Sequence, residues 1–424
     1  MPQAERPLHV LVLHGMGRKS RWFAGVADVE LLFPRYDREN HYVVHNCYYP
    51  RPGVLAETRF DAILLTSTFM DWVAREGLHS DWLRQYAFIR DSGAVTIAFP
   101  QDDYWYCEVR DAFYAEWDID VVFPVCPPSS WPELLPRFLA TGREAKQGFT
   151  TYVTDYTRAL VRRARPWPLR DVDVVYRATR LPKAPNRYGL VKGRIGESFV
   201  AALPEGHGLR LDVSTDPRAL IRGDAWYDFV GGAKAILGSN SGSSIRLRNH
   251  AVLAEVEAFR RQHPDVPLDE VERAVFPAAD RDKEYTAISP RNLEAAALGT
   301  VQILVPGPYS DLLTPHEHYL PLDEDCRNID GVLRGLADPA RCAAMADKAR
   351  ARLLEEPTLQ ASTLIATMGR AVRQRMRGAG SLADIGAVRR RYSAELSLLI
   401  ARDFPGKALR AVGRRLPLVG RHFQ

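Results

Sequence analysis

The stretch SPRNLEAAALGTVQILVPG, residues 289–307, carries the signals that define one unit of the fold. Ser289 is a typical helix N-cap, and Pro290 suits the first helical position because its missing N–H is not needed there. Gly299 is a typical C-terminal glycine, and the apolar residues 301–305 are typical of a strand buried on both faces. The stretch therefore predicts a short helix that leads directly into a central strand of a parallel sheet.

The same alternation of strand and helix extends along the chain. Candidate strands lie at residues 9–13, 42–44, 60–65, 94–99, 118–123, 172–176, 209–213, 233–237 and 301–305. Two prolines within residues 165–170 (RPWPLR) break both helix and strand and indicate a linker. We therefore predict an α/β protein with two Rossmann-like, doubly wound domains, residues 1–166 and 167–385, which face a cleft at the carboxyl ends of their strands. Residues 386–424 would form a helical tail.

The composition is that of a globular protein. The chain has 424 residues, of which 46% are hydrophobic and 26% charged, and at ~150 residues per domain this length predicts two or three domains. The apolar run from Val10 to Leu13 is too short for a signal peptide or a membrane span, so we expect a cytoplasmic protein. Five widely spaced cysteines without a Cys-x-x-Cys pair predict neither a disulfide framework nor a zinc site.

The first candidate site follows the first strand, where His14-Gly15-Met16-Gly17 enters a turn. Glycine lets backbone N–H groups approach a ligand, so we predict that Gly15 and Gly17 line the cleft, with His14 as the second candidate for a general base. An α/β-hydrolase can use the same motif as its oxyanion hole. That alternative needs a nucleophile, and the nearest match to Gly-x-Ser-x-Gly is SNSGS, residues 239–243, with Ser241 as the nucleophile.

Two adjacent carboxylates, Asp102 and Asp103, follow the fourth predicted strand in the segment FPQDDY, residues 99–104. Adjacent side chains there point in different directions, so we expect only one to face the cleft. Asp102 is the first candidate for a general base that takes a proton from a substrate hydroxyl, and Asp103 is predicted beside that substrate. The alternative is that Asp102 caps the helix that follows.

A third candidate site is the loop GSNSGSS, residues 238–244, at the end of a predicted strand. Its small donors Gly238, Ser241 and Ser243 can form a nest for phosphate or sugar hydroxyls, although an ordinary surface turn explains the same composition. Glu294, near the start of the helix within residues 289–307, suits two vicinal hydroxyls such as those of a ribose. Alternatively, its carboxylate only complements the helix dipole.

Residues 285–322 resemble the C-terminal half of nucleotide-sugar glycosyltransferases with the two-domain GT-B fold, and in particular the spore-maturation-protein (CgeB-like) branch of the family-4-like enzymes. The resemblance rests on residues of the 290–299 helix, a glycine turn and a His-Tyr motif. These are Pro290, Arg291, Glu294, Ala295, Ala297, Gly299, Gly307, His318, Tyr319, Leu320, Pro321 and Leu322. Looser similarity extends over residues 60–330. Glu294 matches the second glutamate of the family's Glu-x7-Glu signature, and Thr286 stands where the first would be.

The resemblance implies a glycosyltransferase that moves a sugar from a nucleoside diphosphate sugar to a hydroxyl acceptor, and it implies that Glu294 binds the nucleotide ribose. Arg177, Lys192 and Arg291 are then the cations that hold the pyrophosphate as its negative charge grows. Gly15, Gly17 and Asp103 would lie on the acceptor side. The alternatives are a non-catalytic GT-B protein that binds a nucleotide or glycan, and the α/β-hydrolase.

We expect neither a metal site nor a cofactor besides the donor. No isolated Asp-x-Asp follows a strand at the predicted cleft, and the spacing at Asp118-Ile119-Asp120 begins a strand instead. The expected partners are the nucleotide-sugar donor and a glycan or lipid-linked acceptor of surface polysaccharide synthesis, without nucleic acid.

The C-terminal residues are strongly basic. From Arg370 to Gln424 there are thirteen Arg and Lys residues against three acids, although the whole chain has a net charge of only +5. Apolar residues recur in this tail at three- and four-residue steps: Phe404, Ala408, Leu409, Val412 and Leu416. Such a pattern suits packing on the N-terminal domain or contact with an anionic lipid surface, which would place the protein peripherally at the inner face of the cell membrane.

Overall fold

Two parallel β-sheets form the core of the chain. The computed structural model describes residues 6–19, 22–178, 186–376 and 384–403. The strands are β1 (His9–His14), β2 (His41–Asn46), β3 (Ala62–Leu65), β4 (Val95–Ala98), β5 (Val121–Val122), β6 (Glu144–Ala145), β7 (Val172–Arg177), β8 (Leu211–Ser214), β9 (Ala233–Gly238), β10 (Ser241–Ser243), β11 (Tyr285–Ala287), β12 (Val301–Leu304) and β13 (Leu320–Pro321). Each of the nine predicted strands overlaps one of these.

The helices cover the faces of the sheets. They are α1 (Ala24–Glu30), α2 (Leu32–Tyr36), α3 (Val54–Glu57), α4 (Ser67–Glu76), α5 (Asp81–Arg84), α6 (Phe88–Asp91), α7 (Cys107–Glu116), α8 (Trp131–Leu134), α9 (Pro136–Ala140), α10 (Asp155–Ala159), α11 (Arg187–Ala202), α12 (Ala225–Gly231), α13 (His250–Gln262), α14 (Leu268–Val275), α15 (Pro290–Ala297), α16 (Ile329–Leu336), α17 (Pro339–Leu354), α18 (Ala361–Arg375) and α19 (Ile385–Asp403).

The N-terminal sheet has six parallel strands in the order β2-β1-β3-β4-β5-β6. In β1, Val10 and Val12 enter the hydrophobic cluster on one face, while Leu11 and Leu13 enter the cluster on the other. All four side chains are fully buried. Burial on both faces explains why this strand is continuously apolar instead of alternating.

The second sheet has the order β13-β12-β9-β7-β8, again with parallel pairing throughout. The signals of residues 289–307 are confirmed. The N–H of Ser289 donates to Oδ1 of Asn292 (3.1 Å) at the start of α15, and Pro290 is its first residue. Gly299 has a φ of 60°, so a left-handed residue ends the helix before β12 begins.

The strand order places one switch point in each sheet. In the N-terminal sheet the chain moves from β1 to β2 and then returns to the other side of β1 with β3, and in the second sheet β7, β8 and β9 repeat this path. Ligands of open α/β sheets bind outside the carboxyl ends of the strands at such points. The residues after β1 and β3, and those after β7 and β9, therefore define the cleft.

The insertion between β10 and β11, which contains α13 and α14, docks on the N-terminal domain. The N–H of Leu247 donates to the carbonyl of Tyr104 (3.0 Å), and the N–H of Cys107 donates to the carbonyl of Leu247 (3.3 Å). Tyr285 of β11 donates its hydroxyl to Glu133 (2.7 Å). These contacts join the two domains along one side of the cleft.

The chain crosses between the domains twice, at neighbouring positions. The N–H of Val153 donates to the carbonyl of Leu359 (2.7 Å), and the N–H of Ala361 donates back to the carbonyl of Val153 (3.0 Å). Helix α18 then packs on the N-terminal sheet through Leu364 and Met368, beside Val10 and Val12. Our predicted boundary at residue 385 was therefore too late, because the return to the first domain begins at α18.

Helix α19 also packs on the N-terminal domain. Val388 belongs to that domain's hydrophobic cluster, and Nη2 of Arg389 donates to the carbonyl of Tyr42 (2.8 Å). The apolar tail positions from Phe404 to Leu416 lie outside the described residues. In the part of the chain that is described, no helix has both the length and the apolar composition needed to cross a bilayer.

A buried histidine joins α19 to the sheet and predicts a pH dependence of stability. His45 Nδ1 lies 3.1 Å from the hydroxyl of Tyr392, its Nε2 lies 3.3 Å from that of Tyr86, and burial lowers the pKa of His45 from 6.5 to about 3. As the pH falls below about 6.5, His45 becomes protonated in the unfolded chain but stays neutral in the native state. The free energy of unfolding therefore decreases as the pH decreases. This residue's share of the loss between pH 7.5 and pH 5.5 is about 1.4 kcal/mol.

We expect His45→Gln to remove that share, because glutamine does not titrate and can still bond to both tyrosines. Urea unfolding at pH 7.5 and pH 5.5 measures the difference between variant and wild type. An equal loss of stability in both proteins would show that the native state does not lower the pKa of His45.

Candidate functional site at the interdomain cleft

Lys192 lies on α11, the helix that follows the first strand of the second sheet. Burial and the charge of Arg291 lower the pKa of Lys192 to about 8, while Asp102 of the N-terminal domain raises it. Among the described residues, no acceptor lies within hydrogen-bond distance of its ammonium. An ammonium that forms no ion pair with a described residue, and that lies near both a second cation and the more distant carboxylate of Asp102, is suited to an anionic ligand in the cleft.

Arg291, the second residue of α15, is held rigidly beside Lys192. Its guanidinium lies 5.4 Å from the ring centroids of both Tyr176 and Trp226, and its Nη2 donates to the carbonyl of Arg177 (2.7 Å). No carboxylate forms an ion pair with it among the described residues. Stacking fixes the plane of the guanidinium and leaves its remaining donors available to a phosphate.

Glu294 lies one turn further along α15, and burial raises the pKa of its carboxyl group. Its Oε2 accepts a hydrogen bond from Nε1 of Trp226 (2.7 Å), and the residue is 8% exposed. A Cβ added to Gly25 of the N-terminal domain would lie 2.6 Å from its Oε1. Glu294 therefore stands at the contact between the two domains, and glycine at position 25 leaves the room for it.

The structure does not place Arg177 as a phosphate ligand. Its donors are occupied by the carbonyls of Ala219 (3.2 Å), Tyr176 (2.9 Å) and Asp212 (2.9 Å) and by Oδ1 of Asp212 (2.7 Å). The guanidinium also lies over the ring of Phe229. The prediction for Arg177 is corrected: this arginine joins the ends of β7 and β8 and supports Arg291 through its own carbonyl.

Two residues of the predicted glycine- and serine-rich loop are structural. Gly238 ends β9, where a Cβ would lie 2.6 Å from a methyl of Leu304, so its glycine serves packing. Ser243 is fully buried and exchanges hydrogen bonds with the backbone of Ile245. Neither residue is available to bind the nucleotide-sugar donor, which corrects the predictions for Gly238 and Ser243.

Ser241 begins β10 and pairs with Ala287 of β11, so it is not on a nucleophile elbow between a strand and a helix. This geometry removes the basis for the hydrolase alternative. Asn240, which we did not predict, is 5% exposed, and its Oδ1 has no donor among the described residues. An unpartnered amide oxygen directly after β9 lies where a ligand of this domain would bind.

On the other side of the cleft, His14 is 3% exposed and makes a T-shaped contact with the ring of Trp22, and burial lowers the pKa of His14 to about 4. Its Nδ1 accepts the N–H of Met16 (3.4 Å), so the proton of the neutral ring lies on Nε2. A ring with its acceptor nitrogen engaged and a low pKa is a weak base. The structure thus favours Asp102 over His14.

The two glycines of the same loop have different roles. The N–H of Gly15 donates to Oγ1 of Thr68 (2.8 Å), and a Cβ at this position would lie 2.3 Å from Trp72. Gly15 is therefore needed for packing, and its amide is not free for an acceptor. Gly17 has a φ of 72°, and its carbonyl accepts from Asn46 (2.7 Å) and Trp22 (3.1 Å), so glycine permits the turn itself.

Asp102 and Asp103 separate as neighbouring side chains should. Asp102 is exposed, has a φ of 51° and accepts the hydroxyl of Tyr104 at 2.6 Å. It does not cap α7, whose N-cap is Tyr106. Asp103 is 2% exposed and accepts the N–H groups of Val125 (2.7 Å) and Cys126 (2.9 Å). Its predicted place beside the acceptor is wrong, because it anchors the loop after β5.

The described residues contain no cluster of three or more His, Cys, Asp or Glu side chains suited to a metal ion. Asp118 and Asp120 precede β5 and so lie at the amino ends of the strands, away from the cleft. There Arg143 forms an ion pair with Asp118 (2.5 Å).

Solved structures with a similar architecture are glycosyltransferases. An alpha-glucosyltransferase in complex with UDP and a 13-mer DNA has a TM-score of 0.52 and 9% identity, over 87% of this chain and 100% of that chain. HepE of Anabaena in complex with UDP and glucose has a TM-score of 0.47 and 10% identity, over 87% and 100% of the two chains. A glycosyltransferase from Rickettsia africae has a TM-score of 0.47 and 7% identity, over 88% and 100%.

The first of these likenesses, together with the two sheets and the cleft, shows that the chain has the GT-B fold. At 9% identity the likeness concerns the fold. The sequence matches no protein-family model and no curated protein sequence.

Besides Asn240, sequence reasoning missed Trp226 and Gly25 as site residues. Both act through Glu294, one by a hydrogen bond and the other by leaving space. Trp226 stands in the segment GDAWYDF, residues 223–229, where a tryptophan beside acids is a visible signal. Nothing in the sequence around Gly25 indicates a contact with a residue 269 positions away, so only the packed domains reveal it.

Proposed function

We propose that this protein transfers a sugar from a nucleoside diphosphate sugar to a hydroxyl acceptor. The observation that carries the proposal is the pair of cations Lys192 and Arg291, neither in an ion pair with a described carboxylate, at the switch point of the second sheet opposite Asp102. Breaking the bond between the sugar and the diphosphate leaves negative charge on the diphosphate. Two fixed cations in a partly buried cleft stabilise that charge.

Each remaining group has a task in this scheme. Glu294 accepts hydrogen bonds from the ribose hydroxyls, with its carboxylate oriented by Trp226. Asp102 takes the proton of the acceptor hydroxyl as that oxygen forms its bond to the sugar and the bond to the diphosphate breaks. The charge balances because the diphosphate leaves with the electron pair. In this proposal the cations replace a metal ion, and no cofactor besides the donor is used.

The proposed acceptor is a glycan or a lipid-linked glycan of surface polysaccharide synthesis, with the protein in the cytoplasm. The basic C-terminal residues would hold it at an anionic membrane surface, where each cation near the leaflet contributes about 1 kcal/mol. The resemblance of residues 285–322 supports a place in the CgeB-like branch. Nucleic acid is not among the proposed partners.

A non-catalytic GT-B protein that only binds a nucleotide or glycan is the second candidate. It is favoured by Thr286, which stands in place of the first glutamate of the family signature and is buried within β11. Titration calorimetry with UDP, GDP and dTDP tests binding, and hydrolysis of the corresponding nucleotide sugars without an acceptor tests catalysis. Binding without hydrolysis would select the non-catalytic protein, and the absence of both would refute the proposal.

Glu294→Ala is expected to weaken binding of the recognised nucleoside diphosphate by ~1–3 kcal/mol, because the ribose hydroxyls lose a buried charged acceptor. Calorimetry measures the change in Kd. The matched control is Glu144→Ala, which removes a carboxylate bonded to Lys146 and Arg375 on the outermost strand of the N-terminal sheet. Equal affinity of Glu294→Ala and wild type would take Glu294 out of the donor site.

A further inference from the structure

Glu30, the last residue of α1, is a buried carboxylate with an unusually complete set of donors. It is 1% exposed, and it accepts hydrogen bonds from the hydroxyls of Thr66, Ser67 (2.5 Å) and Thr68 and from the N–H of Thr68 (3.1 Å). Burial raises the pKa of Glu30, and these bonds lower it. A buried carboxylate is tolerated when it is bonded in this way, so the arrangement holds the turn between β3 and α4 rigidly.

That turn in turn holds the loop after β1. Oγ1 of Thr68 donates to Glu30 and accepts the N–H of Gly15 (2.8 Å), while Nε1 of Trp72, one turn further along α4, donates to the carbonyl of Gly15 (3.1 Å). The backbone N–H and the carbonyl of Gly15 are therefore both hydrogen-bonded to α4. The main chain of residues 14–17 cannot rotate without breaking these bonds.

The position of this network relates it to the cleft. The ends of β1 and β3 flank the switch point of the N-terminal sheet, where the ligand of that domain is expected. Helix α1, which ends at Glu30, begins beside Gly25, where the backbone abuts Glu294 of the other domain. The seven-residue helix α1 thus runs from the contact with Glu294 to the turn that holds the 14–17 loop.

We propose that Glu30 is a positioning residue: through Thr68 it fixes the Gly15 amide, and with it the 14–17 loop that faces the transferred sugar. This inference rests on the proposed glycosyl transfer. Glu30 touches neither substrate, and its effect reaches the reaction only through the geometry of the loop. Loss of that geometry lowers turnover without removing a donor contact.

The test combines kinetics with a spectroscopic signature of the loop. Thr68→Val removes the hydroxyl with little change in volume, Thr68→Ser restores it, and Glu30→Gln removes the charge. Hydrolysis of UDP-glucose, GDP-mannose and dTDP-glucose is followed for each variant of the full chain. With the donor that wild type turns over, we expect kcat to fall roughly tenfold in Thr68→Val and Glu30→Gln, with KM within about twofold, and Thr68→Ser to recover it.

The Gly15 amide is observed directly by labelling histidine with ¹³C at the carbonyl and glycine with ¹⁵N. The sequence contains two His-Gly pairs, at residues 14–15 and 207–208, so two signals result, and Gly208→Ala identifies the second. We expect the Gly15 signal to shift in Thr68→Val and Glu30→Gln and to return towards wild type in Thr68→Ser.

Thr96→Val is the matched control, because Thr96 is also buried in the sheet and its hydroxyl bonds to Asp120 (3.1 Å) at the opposite edge. It should change neither kcat nor the Gly15 signal. An unmoved Gly15 signal in both Thr68→Val and Glu30→Gln, or a shifted signal with unchanged kcat, would overturn the inference. Wild-type protein that binds and hydrolyses none of the donors would instead refute the proposed function, and the Gly15 signal would still decide whether Glu30 holds the loop.

Discussion

Asp102→Asn is expected to lower the turnover of a nucleotide sugar by about 100-fold or more, the range found when a general base is removed. The amide keeps the size of the side chain and can still accept the hydroxyl of Tyr104, but it cannot take a proton. Because Asp102 is exposed, the free energy of unfolding should stay within about 0.5 kcal/mol of wild type. Steady-state hydrolysis of the donor and urea unfolding measure the two quantities.

The neighbouring carboxylate provides the contrast. Asp103 is buried and accepts two backbone N–H groups, so Asp103→Ala leaves both N–H groups without an acceptor and should lower the free energy of unfolding by about 1–3 kcal/mol. Its folded fraction should keep most of the turnover. If Asp102→Asn retained wild-type turnover, the base would have to be sought elsewhere in the cleft.

Lys192→Met is expected to lower kcat by about 100- to 1000-fold, the scale for removing one group that stabilises charge in a transition state. The same variant should nevertheless be more stable than wild type. The depressed pKa of Lys192 means that the native state resists the charged form, a cost present below pH 8 and relieved as the pH rises from about 8 towards 10.5. Removing this ammonium should therefore raise the free energy of unfolding at pH 7 by about 1–2 kcal/mol.

The pH profile separates Lys192 from other groups. In wild type, kcat/KM for the donor should fall as the pH rises through about 8, because the neutral amine no longer attracts the diphosphate. Lys192→Arg stays charged and should lack this decline. The control Lys234→Met removes a lysine that is already paired with Asp173 (2.6 Å), and it should change neither kcat nor the pH profile. A stable Lys192→Met with wild-type kcat would exclude a role in holding the leaving group.

Local signals in the sequence determined the secondary structure and the fold class. Ser289, Pro290 and Gly299 mark both ends of α15, because caps depend on a few neighbouring residues. The apolar strands reveal a sheet buried on both faces for the same local reason. The short strands β6, β10, β11 and β13 escaped prediction, since each has only two or three residues and carries no periodic pattern of its own.

The roles of the polar residues depended on partners that are distant in sequence. By residue type, Arg177 and Arg291 are equally plausible phosphate ligands. Asp212 and three carbonyl groups occupy the N–H donors of Arg177, whereas Arg291 keeps donors available for a phosphate. Asp102 and Asp103 are adjacent, and only the position of the loop after β5 decides which of them is buried.

The sequence by itself determined that two doubly wound sheets form, that Asp102 follows a strand and that Glu294 lies near the start of a helix. Only the tertiary structure decided that Gly25 makes room for Glu294, that Thr68 holds Gly15, and that α18 returns to the first domain. The physical reason is the separation along the sequence between the residues that interact. Caps, turns and strand burial are set within a few residues, whereas space, counterions and hydrogen-bond partners are set by whichever segments the fold packs together.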